Sequence, residues 1–230
     1  MAGLKLDKAA GPDGFSNRII AWPVVSQIVP NIFQDSLDLS YISSSWCRAQ
    51  ALIIPKPGKT NYTTMGAWRT LSLSSCWLKL LERAVHTHLL VDVKIDEHLD
   101  QNQYGFRAGR STHEAIHHLV SRIESKLAEG EYALGYFLDI QGAFDNVSIE
   151  AILRALDSTP ISPIVKAWIK DLLGRRTAIF SLKGLDLLRY LLKGTPQGGI
   201  LSPLLWNLVC NNFDFVHEHY CVFYDDSVDC

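Results

Sequence analysis

Two short apolar segments of this chain end in aspartate, and this pattern restricts the folds that the chain can adopt. Asp139 lies near the end of the strand-like segment Ala133–Ile140, and Asp225 and Asp226 directly follow Cys221–Tyr224. Since burial of an unpaired carboxylate is costly, each strand must present its acids to a partner or to water. A tight hairpin at the end of the second segment would bring the three carboxylates together.

A convergent trio of carboxylates predicts a metal site. Like charges in such proximity raise one another's pKa unless a cation neutralises them, and oxygen ligands with access to water suit Mg²⁺. Two such ions about 3.5–4 Å apart activate a hydroxyl nucleophile and stabilise a pyrophosphate leaving group, which is the chemistry of nucleotidyl transfer. The residues alone leave a second interpretation open, in which Asp139 caps a turn and the other two acids are solvated.

Four amphipathic helices are predicted from apolar spacing and capping residues. The first has its apolar face at Leu78, Leu81, Val85 and Leu89. The second begins at Ser111, where Glu114 completes a capping box, and ends at Gly130. Its apolar residues, expected to face inward, are Ile116, Leu119, Val120, Ile123 and Leu127. Ser162 and Ser202 each precede a proline and therefore predict the N-caps of the other two helices.

Strand-like segments alternate with these helices. Besides the two segments that carry the aspartates, they are Ala51–Ile54, Ala178–Leu182 and Tyr190–Leu192. This interleaving predicts an α+β fold in which helices pack on one face of a mainly antiparallel sheet. No linker is long enough to divide the chain, so we expect one continuous folding unit.

Charge and cysteine content restrict the partners and the compartment. The formal net charge of -2 at pH 7 provides no overall positive field of the kind that attracts nucleic acid. The five cysteines are an odd number without a Cys-x-x-Cys pair, which predicts reduced thiols and an intracellular protein, nuclear or cytoplasmic. No apolar run approaches the ~18 residues of a membrane span, so we expect a soluble protein without a membrane partner.

Seven short motifs follow one another along the chain. They are Lys8–Gly14, Ile54–Lys59, Trp68–Leu73, Gln103–Thr112, Phe137–Asn146, Gly194–Pro203 and Phe223–Asp226. The ordered set resembles the reverse transcriptase domain of non-LTR (LINE-type) retrotransposons. This resemblance implies a right-hand polymerase fold, with fingers over about residues 1–130 and palm over about 131–230. It also implies RNA-directed synthesis of DNA, with Mg²⁺ or Mn²⁺ as cofactor and an RNA template, a DNA primer and deoxynucleoside triphosphates as partners.

The resemblance assigns roles to residues of the last three motifs. The family's metal-binding acids are matched by Asp139, Asp225 and Asp226. Phe144 matches an aromatic gate, whose rigid ring leaves room for hydrogen at C2′ of the incoming sugar and excludes a hydroxyl. Ordinary core packing is the alternative for this ring. Gln197 and Gly198 lie in a Gly/Pro-rich turn that permits close backbone approach, and they are assigned to the nucleotide pocket.

Four basic residues are assigned to phosphate contacts. Arg69 matches the family's fingers arginine, whose planar fork grips a triphosphate, and Lys56 adds a charge nearby. Arg107 and Arg110 precede a helix in a glycine-containing loop and are expected to contact template phosphates. Surface ion pairs are the alternative for the first two residues, and bracing of the fingers is the alternative for the second two.

The end of the chain departs from the family pattern. Tyr224 stands where a small residue is usual, and the spacing from Gly199 to Asp225 is shorter than usual. Cys230 follows Asp226 by only four residues, so we expect an incomplete strand return and no thumb. These departures keep a second function open, that of a truncated, non-catalytic relic or nucleic-acid-binding fragment.

Overall fold

The computed structural model describes residues 9–212 except Tyr136, Asp139, Gln141, Lys183 and Gln197. The strands in these ranges are β1 (Arg48–Pro55), β2 (Trp68–Leu73), β3 (Thr177–Leu182) and β4 (Leu185–Tyr190). The α-helices are α1 (Asn17–Ile20), α2 (Pro23–Asp38), α3 (Cys76–Val91), α4 (Thr112–Ala128), α5 (Ala143–Asn146), α6 (Ile149–Asp157), α7 (Pro163–Arg175) and α8 (Ser202–Cys210). Two 3-10 turns span Met65–Ala67 and Ile95–His98.

The described strands form one mixed sheet in the order β2-β1-β3-β4. β1 pairs antiparallel with β2, and β3 pairs antiparallel with β4, whereas β1 and β3 run parallel. The predicted α+β fold with a mainly antiparallel sheet is therefore confirmed. β1 is buried at Ala49 and Ala51, but from Leu52 to Pro55 it is exposed. The outer end of the β1–β2 hairpin therefore extends beyond the core.

The main core lies among the helices α3, α6, α7 and α8. The predicted apolar face of α3 is confirmed, since Leu78, Leu81, Val85 and Leu89 are all buried. Trp168 of α7 is fully buried, and its indole nitrogen donates a hydrogen bond of 3.2 Å to Ser36 Oγ. Full burial of each aliphatic side chain contributes about 1.5–3 kcal/mol. This helical layer is therefore the rigid support for the loops that cross it.

Two of the three predicted helix starts have the expected cap. The capping box of α4 is present, since Ser111 Oγ accepts from Glu114 N at 3.2 Å and Ser111 N donates to Glu114 Oε2 at 2.8 Å. Ser162 caps α7 as predicted. The prediction for Ser202 is wrong, because Ser202 is the first residue of α8 and Leu201 is its N-cap. The Ser202 hydroxyl instead donates to Pro196 O at 2.8 Å.

The prediction that the apolar face of α4 is buried is wrong. Ile116, Val120 and Leu127 are 56%, 43% and 56% exposed, and Leu119 and Ile123 are only half-buried. Helical spacing determines which side chains share a face, but it does not determine whether another element covers that face. In the described part of the chain, α4 buries only Ala115.

The predicted strands have different outcomes. β1 and β3 confirm the predictions at Ala51–Ile54 and Ala178–Leu182. The return strand β4 starts at Leu185, directly after a tight turn, and shares only Tyr190 with the predicted segment Tyr190–Leu192. The strand predicted at Ala133–Ile140 is wrong for its described residues, which have no regular structure. A strand needs a hydrogen-bonded neighbour, and β1 to β4 pair only with one another. The segment Cys221–Tyr224 lies outside the described residues.

The described ranges also bear on the predictions about the cysteines and about a membrane span. Cys47, Cys76 and Cys210 are buried thiols. No helix in these ranges combines the length and the apolar character that crossing a bilayer requires.

Candidate functional site

The segment that follows β4 folds back onto the short helix α5. We name its described residues, 193–196 and 198–200, the docked loop. Gly194 N donates a hydrogen bond of 2.7 Å to Val147 O, and Thr195 N donates one of 2.7 Å to Phe144 O. These bonds bring two of the seven sequence motifs together, the one that contains Phe144 and the one that begins at Gly194.

Gly194 permits this close approach of two backbone segments. Its φ of +76° lies in the left-handed region. A Cβ at this position would lie 2.6 Å from Phe144 O and 2.7 Å from Asp145 O, closer than real side chains approach such atoms. Glycine meets both requirements because it has no Cβ. The docked loop can therefore lie directly against α5.

The ring of Phe144 is held by two other aromatic residues. Its centroid lies 5.8 Å from that of Phe106 with the ring planes at 71°, and 6.1 Å from that of Trp206 at 49°. Such inclined aromatic pairs are favourable because the positive edge of one ring meets the negative face of another. Phe144 itself is half-buried. The packing fixes the ring while leaving part of it accessible, as a rigid gate requires.

Two lysines border this part of the site. Partial desolvation raises the pKa of Asp145 in α5, and the nearby charges of Lys56 and Lys193 act in the opposite direction. Lys193 Nζ also donates a hydrogen bond of 2.7 Å to Asn146 Oδ1. Positive charge is therefore concentrated beside the helix that carries Phe144.

The β1–β2 hairpin brings a third cation to the same side. Arg69 lies on β2 opposite Ile54, so the antiparallel register places it at the same end of the hairpin as Lys56, which directly follows β1. Farther along β2, Ser72 O lies 4.0 Å from the position of a Cβ at Gly198. Gly198 is exposed and has a φ of +93°. β2 therefore passes beside the docked loop.

Arg107 and Arg110 have different surroundings. The Arg107 guanidinium donates to three backbone carbonyls, those of Asp100 (2.6 Å), Asp96 (2.9 Å) and Gln103 (3.2 Å). Desolvation lowers its pKa. This geometry is the bracing arrangement that the sequence left open, and template contact by Arg107 stays a prediction. Arg110 is also half-buried, and its guanidinium lies 5.0 Å from the ring centroid of Tyr104 in a cation–π contact.

The predicted metal ligands and one pocket residue lie outside the described residues; they are Asp139, Asp225, Asp226 and Gln197. Within the described ranges, no three His, Cys, Asp or Glu side chains are grouped so that they could hold a metal ion. The chemistry of the predicted donors fits the expected ion, because carboxylate oxygens are the ligands that Mg²⁺ prefers. The metal site stays a prediction.

Two buried charged residues contact the docked loop, and neither was among the site residues predicted from the sequence. Glu82 of α3 is 1% exposed, and its Oε2 accepts a hydrogen bond of 3.1 Å from Ile200 N. Arg176, which follows α7, is 4% exposed and donates through Nη2 to Gly194 O at 2.5 Å. The sequence did contain a signal for the first residue. Glu82 follows Leu78 by four positions and so lies on the predicted apolar face of α3.

Burial shifts the pKa values of both residues. It raises the pKa of Glu82 from 4.5 to about 7, although the hydrogen bond from Ile200 and the charges of Lys79 and Arg176 oppose the shift. It lowers the pKa of Arg176 to about 10, against the opposing charges of Glu82 and Cys47. Arg176 therefore keeps its charge at neutral pH, and Glu82 keeps its proton to a higher pH than an exposed glutamate does.

The amino-acid sequence of the chain is similar to those of known proteins. A family model described as reverse transcriptase (RNA-dependent DNA polymerase) matches residues 54–228. The chain is 32% identical over 216 residues to the RNA-directed DNA polymerase from mobile element jockey of Drosophila melanogaster, a match that covers 92% of this chain and 23% of that protein. It is 31% identical over 211 residues to the probable RNA-directed DNA polymerase from transposon BS of the same species, covering 89% and 23%.

A bacterial protein is also similar. Protein YkfC of Escherichia coli (strain K12) is 27% identical over 172 residues, which are 72% of this chain and 42% of that protein. The chain spans about a quarter of the length of the two fly proteins, since the match covers 23% of each.

We expect Gly194→Ala to lower the free energy of unfolding by about 1–3 kcal/mol, because the methyl group would meet two carbonyl oxygens and the backbone conformation would be strained. Urea denaturation measures the change. Gly130→Ala is the matched control, since Gly130 has a φ of +78° and its added Cβ would meet nothing within 4 Å. Equal losses in the two variants would contradict the close approach at Gly194.

We also expect the free energy of unfolding to depend on pH through Glu82. As the pH rises from 4.5 to about 7, the carboxyl group ionises in the unfolded chain while the buried group keeps its proton. The unfolded state then binds fewer protons than the native state, so this contribution to stability is fully present below pH 4.5 and is lost as the pH rises to about 7. Urea denaturation at a series of pH values, run beside Glu82→Gln, measures the difference. A difference that is constant across this window would contradict the prediction.

Proposed function

Because the chain belongs to the reverse transcriptase family, we propose that it selects and positions the incoming deoxynucleoside triphosphate during RNA-directed synthesis of DNA. The resemblance drawn from the seven motifs is confirmed by the family match. The observation that carries the proposal is the docking of the loop on α5 through the amides of Gly194 and Thr195. This contact joins the motif of Gly198 to that of Phe144, two of the four described motifs assigned to the nucleotide.

Recognition of the triphosphate is assigned to the cations at the outer end of the β1–β2 hairpin. Lys56 and Arg69 share that end, and both are half-buried. The guanidinium of Arg69 would form paired hydrogen bonds with phosphate oxygens, and Lys56 would act as a point charge. Because this end of the hairpin extends beyond the core, we assign it to the tip of the fingers. Residues to about 130 form the fingers, and the following residues form the palm.

Selection of the sugar is assigned to Phe144. Phe106 and Trp206 hold its ring at two inclined contacts, so it cannot turn away freely from a ligand. A fixed ring beside C2′ accommodates hydrogen and collides with a hydroxyl group. This steric exclusion favours deoxynucleotides.

The acids assigned to metal binding are Asp139, Asp225 and Asp226, with Mg²⁺ as the expected ion and Mn²⁺ as the alternative. When bound, the ions supply activation of the primer 3′-hydroxyl and neutralisation of the pyrophosphate leaving group. Contact with template phosphates is assigned to Arg110, while Arg107 braces the loop from which both residues arise. The RNA template and DNA primer are the proposed macromolecular partners.

Replacement of the proposed gate tests this function. In primer extension on an RNA template, Phe144→Val should raise the ratio of ribonucleotide to deoxynucleotide incorporation by about 10- to 100-fold, because one steric contact discriminates by about 1–3 kcal/mol. Phe33→Val is the matched control. Phe33 is also half-buried, and its ring packs against that of Trp46, with 6.4 Å between the two centroids.

The outcomes separate the competing functions. An unchanged sugar ratio in the Phe144 variant would contradict the gate. RNA association that falls with salt, without any nucleotide incorporation by the wild-type chain, would instead favour the non-catalytic nucleic-acid-binding alternative.

A further inference from the structure

Two charged side chains in the interior have no role in the function proposed above. Glu82 and Arg176 are almost fully buried, at 1% and 4% exposure. Moving a charge out of water costs several kcal/mol unless other groups compensate for it. An apolar side chain at either position would avoid that cost. What such a side chain could not do is form hydrogen bonds to the backbone of the docked loop.

The two residues contact opposite ends of this loop. Arg176 Nη2 donates to Gly194 O at 2.5 Å and to Lys193 O at 3.3 Å. Its Nε donates to Leu173 O at 3.3 Å, which ties the guanidinium to α7. At the other end, Glu82 accepts from Ile200 N at 3.1 Å. The loop is therefore attached to α7 at its start and to α3 at its end.

Between these ends, the exposed residue Gly198 has buried residues on either side of it along the chain. Thr195 and Gly199 are buried, whereas Gly198 is exposed. Gly199 N donates to Pro196 O at 2.9 Å, and this bond closes a turn that contains Gly198. Gly198 is thus held at the exposed point of a short arch whose two ends are fixed in the core.

We propose that Glu82 and Arg176 are positioning residues that hold the two ends of the docked loop and so set where Gly198 meets the nucleotide. The nucleotide part of this inference rests on the function proposed above, whereas the holding of the loop does not. Because hydrogen bonds weaken steeply beyond about 3.2 Å, a displacement of about 1 Å in such a loop would be enough to lose its contact with the nucleotide. Fixed ends on two core helices provide the required precision.

The charges of the two residues also depend on each other. The charge of Arg176 lowers the pKa of Glu82, and the charge of Glu82 raises the pKa of Arg176. Loss of either partner therefore leaves the other less compensated in the interior. For this reason the two residues are expected to act as a unit.

Hydrogen exchange followed by mass spectrometry on the full chain tests the holding of the loop. In Glu82→Leu and in Arg176→Met, the amides of residues 194–201 should exchange at least about tenfold faster, as expected when a hydrogen bond that closes a local segment is lost. Exchange in α4, which is remote from the loop in sequence, should be unchanged. Glu82→Gln keeps a carbonyl that can accept from Ile200 N, and it should exchange close to the wild-type rate.

Two substitutions serve as matched controls. Arg175→Met changes the adjacent arginine, whose guanidinium contacts Ile42 O at 3.0 Å and lies 4.5 Å from the ring centroid of Tyr41. Glu124→Leu removes an exposed acid from α4. Both variants should show wild-type exchange in the docked loop.

Nucleotide kinetics test the positioning itself. In the Leu and Met variants, the KM for deoxynucleotide should rise by about tenfold while kcat changes by less than about threefold, since the loop contacts the bound nucleotide and not the reacting hydroxyl. Three outcomes would contradict parts of the proposal. Unchanged exchange in residues 194–201, or exchange that rises equally throughout the chain, would overturn the holding of the loop by Glu82 and Arg176.

Faster exchange without a change in KM would overturn the positioning role of the two residues. If the wild-type chain incorporates no nucleotide, the proposed function fails, but hydrogen exchange still decides whether the two residues hold the loop.

Discussion

The contact between the docked loop and α5 is the constraint on which the arrangement of the site depends. At Gly194 two backbone segments approach so closely that a single methyl group would meet two carbonyl oxygens. The amides of Gly194 and Thr195 each find a carbonyl partner across this contact. The contact brings the docked loop, with Gly198, to the helix that carries Phe144, and the same loop lies beside β2, the strand that carries Arg69.

Four side chains of the surrounding structure hold this contact. Phe106 and Trp206 fix the ring of Phe144, while Arg176 and Glu82 fix the ends of the docked loop. The supporting side chains come from elements that are far apart in sequence. This explains why buried charges occur in an otherwise apolar layer. The backbone groups of an irregular loop need hydrogen-bond partners, and only polar side chains can supply them in the interior.

Local rules predicted local features of the chain well. The structure has the apolar face of α3, the capping box at Ser111 and the N-cap at Ser162. Each of these features depends only on residues that are neighbours in sequence. The rules failed where the outcome depends on a distant partner. The apolar face of α4 lies exposed, and the segment around Phe137 pairs with none of the described strands. Glu82 was missed for the same reason, because its partner Ile200 is remote in sequence. The order of the motifs, in contrast, was sufficient to indicate the family.

The most direct test of the account is Mg²⁺-dependent primer extension on an RNA template by the wild-type chain and by Asp139→Asn. The amide has the same size as the carboxylate but is a weaker ligand for Mg²⁺, so incorporation should fall by at least about 100-fold while RNA binding is retained. Asp145→Asn is the control, since Asp145 lies in the same motif but matches no metal ligand of the family, and it should retain most of the incorporation. Equal incorporation by the wild-type chain and by Asp139→Asn would contradict the account.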